Sequence, residues 1–185
     1  TSAIITCTLT TRLKDHAKMS AQAAFRTKIL FDTNQLLQRA KSEEEILSQT
    51  ASQLMKLLNR SLIVYPEQNG DLGSEQVFWV DGKTAQNIFS APEERDAANW
   101  TFANKKRSGA GTDSYPDAKG LYLALRTGGG VFGVIGIDLS EKPLDAFENS
   151  VLLSILGEGA LAIENRRNAL EKEQAALQAR NEELR

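Results

Sequence analysis

Cysteine and histidine are almost missing from this chain: Cys7 and His16 stand alone among 185 residues. A lone cysteine excludes an internal disulfide and an all-cysteine metal cage, and a lone histidine excludes a multi-histidine metal centre. Most metal and hydrolytic chemistry loses its ligands and bases on that ground. An excess of one charge is also absent. The 22 basic and 24 acidic residues give a net charge of -2, which provides no overall pull toward nucleic acid. The apolar run at residues 3–9 is far shorter than the roughly 20 residues a spanning helix needs. No basic region precedes it, as a signal peptide would require. What is present is ordinary for a packed soluble chain: 41% apolar and 25% charged residues.

Glycine and proline are absent from residues 10–40, which read as one helix. Leu9, His16, Ala23, Leu30 and Leu37 recur there every seven positions, beside Phe25, Ile29 and Leu36. Between Arg12 and Lys41 the basic residues Arg12, Lys14, Lys18, Arg26, Lys28, Arg39 and Lys41 face only Asp15 and Asp32. Such a bias marks the cytoplasmic flank of a membrane helix, so residues 1–9 are expected to be the cut end of one. A solvated helix with a chance excess of cations reads the same way. Ser42 and Glu45 form a capping box for a second helix to about Asn59, with Ile46, Leu47, Leu54, Leu57 and Leu58 as its core face.

Strand signals follow. Leu62-Ile63-Val64-Tyr65 is short and β-branched, with Pro66 expected to end it. Asn69-Gly70-Asp71 reads as a turn, and Val77-Phe78-Trp79-Val80 as a strand closed by Asp81-Gly82. Pro92-Glu93-Glu94 opens a third helix, its glutamates complementing the positive helix end. Lys105-Lys106-Arg107 are expected in its last turn, with Gly109 taking the left-handed closing conformation. Two strands, 121–126 and 131–139, form a hairpin around Gly128-Gly129-Gly130. Gly133 and Gly136 inside the second strand mark a bulge or a close approach, for which a helix lying on the sheet is the expected neighbour. Asp145 and Glu148 make a second capping box for the last helix, with Phe147, Val151, Leu152, Ile155 and Leu156 facing the core. Strands grouped between helices, with hairpin connections, define an α+β fold: an antiparallel sheet with helices on its faces.

Leu156, Ile163, Leu170, Leu177 and Leu184 are spaced by seven, the signature of a coiled-coil stripe. With these at d, the a positions are Ala160, Arg167, Gln174 and Asn181, a polar column that weakens a coil while fixing its register. The expected dimer coil uses Ile163, Leu170, Leu177 and Leu184; a solvated amphipathic helix is the alternative. Elsewhere, Gly128-Gly129-Gly130 lacks the lysine of a phosphate loop, and Gly109-Ala110-Gly111 follows a helix rather than a strand, unlike a dinucleotide fingerprint. Cys7 has no base partner nearby, and His16 reads as a helix-face residue. The loop at residues 109–116 is a candidate ligand site, with Thr112 and Asp113 as polar groups and Lys106 and Arg107 as charge; a helix stop followed by a turn is the favoured reading of the same residues. Trp79 and Trp100 read as core aromatics, with Trp100 kept among the candidate ligand contacts.

Three segments carry a resemblance. Leu9-Thr10-Thr11-Arg12-Leu13-Lys14 is similar to the exit of the last membrane helix of the Kdp-type potassium-responsive sensor histidine kinases. Ser108-Gly109-Ala110-Gly111-Thr112-Asp113-Ser114-Tyr115-Pro116 resembles that family's Ala-Gly-Ala-Gly-Thr-Asp-Thr-Leu-Pro signature, departing at Tyr115, with a further departure at Asp117. Trp100-Thr101-Phe102 and the two later strands match in order. The resemblance covers most of residues 1–170 and implies a GAF-type domain between membrane helices and a kinase core. It implies a membrane-proximal arm at 1–41, the GAF-type domain at 42–162 and a signalling helix at 163–185.

The family's phosphoacceptor histidine lies in a His-Asp-Leu-Arg-Thr-Pro-like stretch, which His16-Ala17-Lys18 does not match. This chain is therefore expected to be no enzyme and to carry no cofactor, with ATP belonging to the kinase core of a longer parent. The implied role is signal relay at the cytoplasmic face of the bacterial plasma membrane. The implied partners are a second copy of the chain, the kinase core and, through it, a response regulator. The rival expectation is a small-molecule receptor of the cyclic-nucleotide kind. A GAF-type sulfoxide reductase is excluded for want of cysteines.

Overall fold

Burial alternates along the strands and sorts the molecule into layers. Leu62 and Val64 of the first strand join one apolar cluster, while Ile63 and Tyr65 between them join another. Alternate side chains of a strand point to opposite faces, so both faces of the sheet are covered. The computed structural model describes residues 2–80 and 88–184. Asp81-Gly82, the expected end of a strand, lies outside them.

In chain order the elements are α1 (Ser2–Arg39), α2 (Glu43–Leu58), β1 (Leu62–Gln68), β2 (Asp71–Leu72), β3 (Gln76–Phe78), a 3-10 turn (Ile88–Ser90), α3 (Pro92–Asn104), β4 (Ser108–Gly109), β5 (Gly120–Thr127), β6 (Gly130–Asp138) and α4 (Ala146–Glu183). The described strands form one antiparallel sheet in the order β2-β1-β6-β5-β4, with β3 also paired to β1. Helices α1, α2 and α4 cover one face through Leu37, Leu54, Leu152, Ile155 and Ile163. Helix α3 and the 3-10 turn cover the other through Ala97, Ala98 and Phe89.

Local chemistry explains most boundaries. Ser42 Oγ accepts from Glu45 N, while Glu45 returns a bond to Lys41 N, one residue before the cap. The Asp145–Glu148 box is reciprocal. Asn69 and Gly70 both have positive φ, 54° and 87°, the type I′ geometry that suits a two-residue hairpin. Strand β1 runs on through Pro66, whose carbonyl accepts from Gly73 N. A proline gives up only its own donor, which does not stop a short strand near its end. Helix α3 closes at Lys105, which itself takes the left-handed conformation at φ 57°. The three basic residues thus follow the helix, and the positive φ of Gly109 serves β4, where a Cβ would strike the Gly120 carbonyl.

Helices α1 and α4 run side by side in the same direction. Phe25 meets Phe147, Arg26 reaches Ser150, and Asn34 donates to Glu158 at 2.9 Å. Partners on both helices advance in step, so the two are parallel. Residues 2–21 of α1 are all exposed, as are residues 168–184 at the other end of α4. The body of the molecule sits between two bare helical stretches that leave in opposite directions. By length and composition, α4 alone among the described helices is apolar enough to cross a membrane, but its apolar half is packed on the sheet.

Candidate functional site

Beneath α3, the second face of the sheet holds a cavity of about 430 Å³. Its floor is Ile63 and Tyr65 of β1; Val77, Phe89 and Arg95 form walls, with Glu75 at the rim. The Arg95 guanidinium lies 4.8 Å from the centre of the Tyr65 ring. It donates to the carbonyls of Leu72 at 2.9 Å and Gly73 at 3.2 Å, and to Glu75 at 3.4 Å. Burial, aided by the negative charge of Glu75, pushes the Tyr65 hydroxyl up to about 12. A cation above an apolar floor suits a flat or anionic guest, which would compete with Glu75 for Arg95.

The cavity keeps its shape because α3 is tied to the sheet by a buried carboxylate. Glu94, 2% exposed, accepts from Lys119 N at 2.7 Å, Gly120 N at 3.1 Å and the Tyr122 hydroxyl at 2.6 Å. Burial, with the bond to Glu94, drives the Tyr122 hydroxyl far above the ordinary tyrosine range. Thr101 and Ser108, both buried, bond to each other at 2.8 Å, and Ser108 donates to the Ala97 carbonyl.

The residues expected around the 109–116 loop are only partly brought together. Arg107 and Thr112 border a groove of about 350 Å³ beside Leu144 and the start of α4. The Thr112 hydroxyl is engaged within the loop, at 2.8 Å from both the Gly109 and Ser114 carbonyls. Asp113 and Lys106 are exposed and border neither cavity, and Trp100 is half-buried on α3. Trp79 lies against Phe89 in a tilted arrangement, ring centres 6.2 Å apart.

The leucine stripe of α4 divides. Leu156 and Ile163 lie in the chain's own core at 5% and 0% exposure. Ile163 therefore is not open to a partner, which corrects its expected place in the dimer coil. Leu170, Leu177 and Leu184 are exposed at 44%, 54% and 78%. Arg167 turns back onto the domain and bonds Glu43 and Glu67.

Helices α1, α2 and α4 on one face of an antiparallel sheet and α3 on the other give this chain a GAF-like fold. The native GAF domain of the potassium sensor histidine kinase KdpD from Escherichia coli matches it with a TM-score of 0.57 and 22% identity, over 82% of this chain and 99% of that one. The GAF domain of an Acinetobacter phosphoenolpyruvate-protein phosphotransferase matches at 0.54 and 10% identity, over 78% and 95%. In sequence, the chain is 29% identical to Sensor protein KdpD of Clostridium acetobutylicum over 184 residues, 99% of this chain and 20% of the relative. It thus spans about a fifth of the length of that relative. No protein-family model matches. The expected Kdp resemblance and the expected GAF-like α+β fold both stand on these findings.

Sequence reasoning missed Arg95, Tyr65 and Glu94 as site residues. Tyr65 carried only a strand signal, and Glu94 read as a first-turn glutamate. Its partners at 119, 120 and 122 lie beyond the reach of any local pattern.

Proposed function

We propose that this chain is the cytoplasmic relay domain of a membrane-bound sensor histidine kinase of the Kdp type. The carrying observation is the parallel pairing of α1 and α4, with bare helical stretches leaving the domain at opposite ends. The similarity to KdpD along nearly the whole chain supports it. In this reading the basic arm of α1 takes a movement from the membrane side, and α4 carries it to a kinase core. ATP and the response regulator are partners of that core. Two copies pair through Leu170, Leu177 and Leu184, whose apolar surface is otherwise left in water. Sedimentation velocity at tens of micromolar tests the pairing. A dimer is expected, and Leu177→Asp is expected to dissociate it. A monomer, or a dimer indifferent to that substitution, would remove the coil.

A second reading, a receptor for a small anionic molecule such as a cyclic nucleotide, is favoured by the Arg95–Tyr65 cavity alone. The two are compatible, since a guest beneath α3 would act on the relay through the sheet.

A further inference from the structure

Arg167 fastens α4 to the domain where the helix departs. Its Nε donates to Glu43 Oε1 at 2.8 Å, and its Nη2 donates to Glu43 Oε2 at 2.9 Å and to Glu67 Oε2 at 3.1 Å. The guanidinium also stands 5.0 Å from the centre of the Phe132 ring. Glu43 opens α2, Glu67 lies near the end of β1 and Phe132 belongs to β6, so three elements converge on one side chain. One turn earlier, Glu164 accepts from Thr127 at the β5–β6 turn, at 2.8 Å. Beyond Arg167 every described residue of α4 is exposed.

The heptad frame gives the same arginine a conflicting position. With Leu170 and Leu177 at d, Arg167 is an a residue and would face its counterpart in a two-helix coil. A guanidinium committed to Glu43 and Glu67 cannot do so. The rotation of α4 at this point is therefore dictated either by the domain or by the coil. The fastening is also reversible in kind: Arg167 and Glu43 are 34% and 33% exposed, and ion pairs in contact with water contribute little net stability. A bidentate guanidinium–carboxylate pair nevertheless fixes direction well.

We propose that Arg167, with Glu43 and Glu67, is a latch that clamps the rotational phase of α4 to the domain and competes with the coil between two copies of this chain. Closed, it confines the coil to Leu170 and beyond. Open, it frees residues 167–170 to follow the partner helix. The end of β1 holds the Glu67 half of the latch, and the same strand forms the floor of the Arg95–Tyr65 cavity. The inference rests on the coil reading above.

The test uses the 185-residue chain with a nitroxide label at Ala169→Cys, and separately at Ala176→Cys, each in a Cys7→Ser background, with inter-copy distances read by pulsed electron resonance. Glu43→Gln combined with Glu67→Gln opens the latch without altering α4. It is expected to shift the distance at position 169 while leaving position 176 in place. Arg167→Leu removes the latch and places an apolar residue at a, so it is expected to tighten the dimer at least tenfold. A dimer whose distances ignore the double substitution, and whose affinity ignores Arg167→Leu, overturns the latch and leaves the coil standing. Absence of a dimer in the parent chain overturns both. Should the double variant fail to melt cooperatively, Arg167→Leu alone decides between these outcomes.

Discussion

Glu94 illustrates how much one side chain can bind together. Its carboxylate takes three donors from a segment 25 to 28 positions away and does so almost without water. Glu94→Ala would strand two backbone N–H groups and the Tyr122 hydroxyl, and a stranded buried donor costs about 1–3 kcal/mol. Urea denaturation is expected to show a loss of about 3 kcal/mol or more, with Glu94→Gln losing less because its carbonyl still accepts. A loss below about 1 kcal/mol would mean that α3 is held by its alanines instead. Little of this was legible in the sequence. A glutamate at the start of a helix reads as a complement to the helix dipole, and nothing near position 94 signals that it turns inward. Arg167 was hidden for a similar reason: its partners are 124 and 100 residues away, while the heptad around it speaks only of neighbours on the same helix.

Elements were more legible, because periodicity is a local property. The two capping boxes, the Asn69-Gly70 turn and the alternation along β1 followed from residues within a few positions of each other. Gly136 was recognised as a place of close approach, but the neighbour is not a helix. It pairs across the ladder with Tyr122 on one side and Ile63 on the other. A Cβ there would run into the Tyr122 ring and would come within 2.7 Å of the Ile63 side chain. The glycine gives the ring room to lie across the strand with its hydroxyl on Glu94. Gly136→Ala is therefore expected to cost about 1–3 kcal/mol, the range for overpacking a tight core, in a chemical denaturation experiment. A Cβ at Gly133 would come within 2.7 Å of the Tyr65 carbonyl oxygen. A single sequence cannot separate a neighbouring strand from a covering helix, since both leave the same glycine behind.

At the scale of the molecule, the GAF fold was legible through resemblance more than through pattern, whereas the parallel pairing of α1 and α4 required three-dimensional contacts. Given that pairing, the helical stretches add end to end. At about 1.5 Å per residue the distance from the start of α1 to the end of α4 is about 85 Å. Small-angle scattering is expected to return a maximum dimension near that value, and one below about 60 Å would mean that an arm folds back. The heptad stripes make the same point from within. Leu9, His16 and Ala23 are exposed while Leu37 is buried, and on α4 the order reverses, with Ile163 buried and Leu177 exposed. Each stripe serves the core for part of its length and open surface for the rest. Because α4 continues without a break from its Asp145 cap to Glu183, the body of the protein sets a compass bearing for everything beyond it. One residue added below Arg167 would swing that bearing by about 100°, whereas seven would bring it almost home.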